Sequence, residues 1–216
     1  MKYLAGHSHF FGLVWLFNVD AEGNFPSDFS AILMFFAGLL LLIITILESR
    51  RIGHLSWHWV GLSFMFLYLS ADEAFSYHEK LIITGPILLR EIAPIFNYAL
   101  TYIIPAMSLL FIIVLFCVKF FLGLPARTRL SFLMASVLFL GGAVGFELIS
   151  GRYAAFFGMD NLTYNLIATV EESLEMAGTV YFIVSLLKYI ADNFREVCFR
   201  LDRASNQSQR YPIFEK

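Results

Sequence analysis

The sequence predicts an all-α protein, a polytopic bundle of five transmembrane helices, or six if residues 3–19 also cross. Of its 216 residues, 59% are hydrophobic and 15% are charged, whereas a soluble domain averages about 25% charged residues. The mean hydropathy is +0.72, and several uncharged stretches are long enough to cross a hydrocarbon core of about 30 Å. These observations exclude a soluble enzyme and a nucleic-acid-binding protein, and they make the lipid bilayer the expected partner.

The predicted elements follow in chain order. The first span starts after Pro26 and ends before Glu48, because proline favours the first turn of a helix and the charges after it end the apolar run. The five predicted spans cover residues 29–47, 56–71, 92–118, 130–148 and 166–190. Residues 1–28 form an N-terminal segment that is either interfacial or a sixth span, because His7 and His9 interrupt its apolar stretch. Residues 29–190 form the bundle, and residues 191–216 form a cytoplasmic amphipathic tail.

The orientation follows from the distribution of lysine and arginine, which accumulate on the cytoplasmic side of membrane proteins. One side, which includes the 48–57 loop, the 119–129 loop and the tail, carries eleven basic and five acidic residues. The opposite side carries four basic and twelve acidic residues. The C-terminus is therefore predicted to be cytoplasmic, and the outer face is predicted to attract cations.

The fifth span is the most informative segment. The stretch from Met176 to Leu187 amounts to about 18 Å of helix, which is too short to cross a membrane. A crossing helix therefore requires residues upstream, and these include Glu171, Glu172 and Glu175. The alternative is a helix that begins late, with these acids near its N-terminus. Their charges would then only be stabilised by the helix dipole.

Carboxylates of two other spans are predicted to reach the same depth. At about 1.5 Å of rise per residue, Asp72, Glu73, Glu147, Glu171 and Glu175 lie roughly 20–27 Å from the cytoplasmic end of their spans, and His78 and Glu79 lie at about 31–33 Å. Asp72, Glu73 and Glu147 follow apolar stretches near helix C-termini, where an acid is disfavoured. The negative charge of these acids must be compensated by protonation, by a bound cation, or by a basic partner such as Lys80, Arg90 or Arg152. The candidate metal ligands are Asp72, Glu73, His78, Glu79, Glu147, Glu171, Glu172 and Glu175.

Three functions fit this pattern. Carboxylates with one imidazole suit Fe²⁺, Mn²⁺ or Ca²⁺ better than zinc or copper, which predicts a divalent metal site and is compatible with a membrane metalloenzyme. A cation- or proton-coupled transporter is the second interpretation, and a structural or assembly subunit without activity is the third. No residue is assigned a catalytic role by the sequence.

Two smaller features bear on packing. Gly141 and Gly145, with Gly142 between them, predict a face of the fourth span that permits close helix approach. Trp57 and Trp59 are predicted to lie in the aromatic belt at the inner membrane interface.

Three strings carry a family resemblance: NVDAEGNFPS at 18–27, LSADEAFSYHEKL at 69–81 and VEESLEMAG at 170–178. They resemble an uncharacterised family of bacterial polytopic inner-membrane proteins, over about residues 15–190. The resemblance implies a bacterial cytoplasmic membrane and brings no activity with it. It also marks the acidic strings as the part of the chain where a site is expected.

Overall fold

The computed structural model describes residues 23–76 and 117–194, together with Leu16. Within these ranges the chain forms helices and their connections, without a strand. The predicted all-α class is therefore confirmed for this part of the chain. The predicted third span, almost all of the N-terminal stretch 3–19 and the tail beyond residue 194 lie outside the described residues.

The first hairpin consists of α1 (Phe25–Ile52) and α2 (Trp57–Phe75). A reciprocal cap fixes the start of α1: the Asn24 side chain accepts from the Ser27 N–H, and Ser27 Oγ accepts from the Asn24 N–H, each at 3.3 Å. This cap starts the helix one residue before Pro26, which agrees with the helix start predicted ahead of the span 29–47. The helix ends at Gly53, whose positive φ of 78° turns the chain toward α2.

Small and hydroxyl-bearing residues bring α1 and α2 together. A Cβ built on Gly38 would lie 2.8 Å from Cδ2 of Leu67. Ser63 Oγ donates to the Gly38 carbonyl at 2.9 Å, and Ser70 Oγ donates to the Ala31 carbonyl at 2.8 Å. Close backbone approach with interhelical hydrogen bonds is typical of helix pairs in membranes.

The second hairpin begins with one long helical stretch. It comprises α3 (Ala126–Leu140), a π-helical segment (Gly141–Phe146) and α4 (Glu147–Phe157), which follow one another directly. The chain then turns and continues as α5 (Leu162–Asn193), which Asn161 caps by accepting from the Tyr164 N–H at 2.9 Å. Residues 117–123 are also helical.

The apolar core lies at the end of the bundle where α1 ends and α2 begins. Leu41 of α1 and Leu186 of α5 are 0% exposed, and Trp59 of α2 is 3% exposed. The ring of Trp59 lies 4.9 Å from Phe120 and 5.0 Å from Tyr189 between centroids. Trp59 therefore belongs to this aromatic core and does not face lipid, whereas Trp57 is 67% exposed.

Three helical stretches in the described part are long and apolar enough to cross a membrane: Phe25–Ile52, Ala126–Phe157 and Leu162–Asn193. They contain the predicted first, fourth and fifth spans. The predicted second span is a helix, α2, but it is not among the three, because polar side chains such as His58, Asp72 and Glu73 lower its mean hydropathy. Large apolar side chains such as Ile32 and Val137 are exposed on their surfaces, as expected of helices that contact lipid.

A buried polar contact joins α1 to α5 beside this core. The Tyr189 hydroxyl donates to Glu48 Oε1 at 2.6 Å, and Glu48 is only 5% exposed. Arg51 lies 3.4 Å from the same carboxylate oxygen. A buried charged acceptor is costly unless it is hydrogen-bonded and paired, so this contact fixes how the two helices meet.

Removing the Tyr189 hydroxyl should destabilise the protein. We expect Tyr189→Phe to lower the free energy of unfolding by about 1.5–3 kcal/mol, the usual range for a hydrogen bond to a charged group. Tyr181→Phe, at an exposed tyrosine of the same helix, is the matched control and should have little effect. Denaturant unfolding of these variants, of Glu48→Ala and of the double variant measures the coupling. A coupling energy near zero would contradict the assignment.

Candidate functional site

The acids of α5 lie well inside that helix. The helix begins at Leu162, more than two turns before Glu171. A helix dipole acts mainly on the first turn, so the alternative of a helix that begins late is wrong. Glu171, Glu172 and Glu175 are each half-buried, and they lie within a stretch long and apolar enough to cross a membrane.

Glu175 is the centre of this group. The carboxylates of Glu73, Glu147, Glu171 and Glu172 lie close enough for their charges to act on it. Glu73 belongs to α2, Glu147 to the start of α4, and the other two to α5 itself. Acids that are far apart in sequence are thus brought toward one side chain.

The acids of α2 lie where the sequence predicts. Asp72 and Glu73 occupy the last turn of α2, which ends at Phe75. Both side chains are half-buried. The C-terminal end of a helix carries partial negative charge, so the helix dipole itself does not favour an acid at this position.

The position of Glu147 differs from the prediction. The helical stretch continues through Glu147 to Phe157 instead of ending beside it, so Glu147 is not near a helix C-terminus. Its side chain is exposed. The π-helical segment directly before it changes the helical phase, and the sequence does not show such a change.

The π-helical segment packs closely against α5 beside Glu171 and Glu175. A Cβ built on Gly142 would lie 2.6 Å from the Glu171 carbonyl oxygen and 2.8 Å from Cγ of Glu175. Only glycine therefore fits at this point. Among the described residues, Gly141 and Gly145 have no such neighbour, so the close approach predicted for this face occurs at Gly142.

A second glycine contact continues the same interface. A Cβ on Gly178 of α5 would lie 2.6 Å from the backbone nitrogen of Phe139 and 2.9 Å from its Cα. Since both neighbours of this position are backbone atoms, the helices can come this close only without a side chain. The two glycine contacts set the distance between α5 and the glutamate-bearing stretch.

The remaining predicted participants fall into two groups. His78, Glu79, Lys80 and Arg90 lie outside the described residues. Arg152 is exposed, and its guanidinium lies 5.5 Å from the ring centroid of Phe156. Within the described ranges, the charged groups that act on Glu175 are the four glutamates.

The metal prediction is not supported by ligand geometry. In residues 23–76 and 117–194, no group of three or more His, Cys, Asp or Glu side chains is arranged to hold a metal ion. The arrangement concentrates negative charge around Glu175 without forming a coordination sphere from these residues.

Sequence reasoning missed the contact between Glu48 and Tyr189. Glu48 precedes two arginines, so its position suggested a charged end of a span. One feature of the sequence could have drawn attention to Tyr189. It follows Glu175 by fourteen residues, which places it on nearly the same face of an α-helix. That face of α5 runs from the acids to the aromatic core.

The described residues define an all-helical protein with three stretches able to cross a membrane and with glutamates of α2, α4 and α5 near enough for their charges to act on Glu175. The chain belongs to the family described as a domain of unknown function (DUF8692), whose model matches residues 7–190. This agrees with the predicted resemblance to an uncharacterised family. No curated protein and no solved structure matches the chain.

Proposed function

We propose that this protein is a multi-spanning membrane protein that binds a divalent metal cation at an acidic site centred on Glu175. One observation carries the proposal: four other glutamates act on a half-buried carboxylate within a helix of membrane-spanning length. Ionised carboxylates that act on one another in a medium of low dielectric repel. A bound cation is the counter-charge that would remove this repulsion.

The chemistry of the side chains suggests which cation. Carboxylate oxygens are hard ligands that suit Fe²⁺, Mn²⁺ or Ca²⁺ better than zinc or copper. The proposed ligands are Asp72, Glu73, His78, Glu79, Glu147, Glu171, Glu172 and Glu175. Since the described residues do not form a ready coordination sphere, metal binding requires side-chain rearrangement, residues outside the described ranges, or both.

The proposal includes a topology. It has five spans, or six with residues 3–19, in the bacterial cytoplasmic membrane, and it has a cytoplasmic C-terminus. The basic residues near the α1–α2 turn support this orientation, and the acidic site then faces the outer side. Metal would therefore reach Glu175 from outside the cell.

Elemental analysis of the detergent-purified protein tests the proposal. We expect Mn, Fe or Ca to co-purify in stoichiometric amount, and we expect a chelator to lower the melting temperature. Metal-free protein whose stability is the same with and without each added cation would contradict it.

A further inference from the structure

A groove lies at the turn between α1 and α2, remote from the acids. Its volume is about 450 Å³, and it is broadly open at the protein surface. Its lining surface is mostly apolar, and the residues that form it include two with basic side chains: Thr45, Ile46, Ser49, Arg50, His54 and Leu55.

The wall of the groove is held by defined contacts. The Ser56 N–H donates to Ser49 Oγ at 3.1 Å, which ties the turn to the last turns of α1. Arg51 is directed to Glu48, whereas Arg50 is exposed and lines the groove. Among the described residues Arg50 forms no ion pair, so its guanidinium is available to bind a ligand.

The groove changes from polar to apolar along α1. Arg50 lies one helical turn beyond Ile46, about 6 Å along the axis. With 28 residues, α1 is about 42 Å long and exceeds the hydrocarbon core of about 30 Å, so its end reaches the headgroup layer. Arg50 and His54 then lie at headgroup level, and Ile46 lies at the level of the acyl chains.

From this arrangement we infer that the groove binds an anionic phospholipid. Arg50 and His54 bind the phosphate group, because guanidinium and imidazole N–H groups donate to phosphate oxygens. Ile46 and Leu55 contact the adjoining acyl chain. This inference rests on the insertion of α1 into a membrane and not on the metal site, so it stands or fails independently of the proposed cation.

Native mass spectrometry of the full-length protein, incubated with an equimolar mixture of phosphatidylglycerol and phosphatidylcholine, tests the inference. The wild-type protein should retain phosphatidylglycerol preferentially. Arg50→Ala and His54→Ala should each reduce this preference, by about fivefold for the arginine, since a basic residue near a lipid surface contributes about 1 kcal/mol. Arg127→Ala, at an exposed arginine of the first turn of α3, is the matched control and should leave the preference unchanged.

Two further measurements distinguish a bound phospholipid from free phosphate and from a general attraction of anions to basic residues. Ile46→Ser should weaken lipid retention, whereas Leu42→Ser, one turn away on an exposed position outside the groove, should not. Inorganic phosphate at the same concentration should not displace the lipid. Displacement by phosphate, or an equal loss of preference in Arg50→Ala and Arg127→Ala, would overturn the inference.

Discussion

Replacing Glu175 by glutamine is expected to abolish the stabilisation that a divalent metal gives to the protein. The amide keeps the size of the side chain but removes its charge and its strength as a metal ligand. For a ligand at 100 times its Kd, the stabilisation lost would be about 2.7 kcal/mol. Thermal unfolding with and without Mn²⁺ or Ca²⁺ measures the effect.

The same substitution has a second expected result in metal-free protein. If the carboxylates are ionised there, Glu175→Gln should raise stability, because two charges 4 Å apart repel by about 4 kcal/mol at an effective dielectric constant of 20, and by less at longer range. Asp192→Asn, at an exposed acid near the end of α5, is the matched control. A purely structural role of the acids predicts the opposite outcome, namely that Glu175→Gln is destabilised and metal has no effect on either protein.

Introducing a methyl group at Gly178 is expected to separate two helices. The new Cβ would meet the backbone of Phe139 at 2.6–2.9 Å, and backbone atoms cannot move aside as a flexible side chain can. We expect Gly178→Ala to lower the free energy of unfolding by about 1–3 kcal/mol, as overpacking does. Denaturant unfolding in detergent measures the change.

A glycine with open space provides the control for this result. Among the described residues, no atom lies within 4 Å of a Cβ built on Gly151 of α4, so Gly151→Ala should be neutral or stabilising by up to about 1 kcal/mol. Equal destabilisation by both substitutions would show that helix contact at Gly178 is not the cause. Gly142→Ala should destabilise like Gly178→Ala and should also weaken metal binding, because its Cβ would meet Glu171 and Glu175.

Much of the helical architecture was predictable from hydrophobic runs and helix signals. The first, fourth and fifth predicted spans each fall within a helical stretch able to cross a membrane. The position of Glu171, Glu172 and Glu175 inside a helix of membrane-spanning length followed from simple length arithmetic, because the apolar part of α5 is too short to cross without its acids. That reasoning needs only the rise per residue of a helix.

Other features depend on contacts between distant parts of the chain. The π-helical segment, in which Gly142 packs on α5, and the continuation of the helical stretch beyond Glu147 to Phe157 are two such features. Trp59 is buried because Phe120, Phe132 and Tyr189 surround it, whereas tryptophan next to a basic loop suggested an interfacial position. The count of five spans stays a prediction, because residues 77–116 lie outside the described ranges, and the whole set of metal ligands stays a prediction as well.

Manganese binding measured by electron paramagnetic resonance tests the central claim most directly. The protein and three variants, each altering one helix, would be reconstituted in lipid and titrated with Mn²⁺: Glu73→Gln in α2, Glu147→Gln in α4 and Glu175→Gln in α5. We predict one bound Mn²⁺ per wild-type chain, weaker binding in the first two variants and none in Glu175→Gln. Unchanged Mn²⁺ binding in all three variants would contradict a cation site formed by these helices around Glu175.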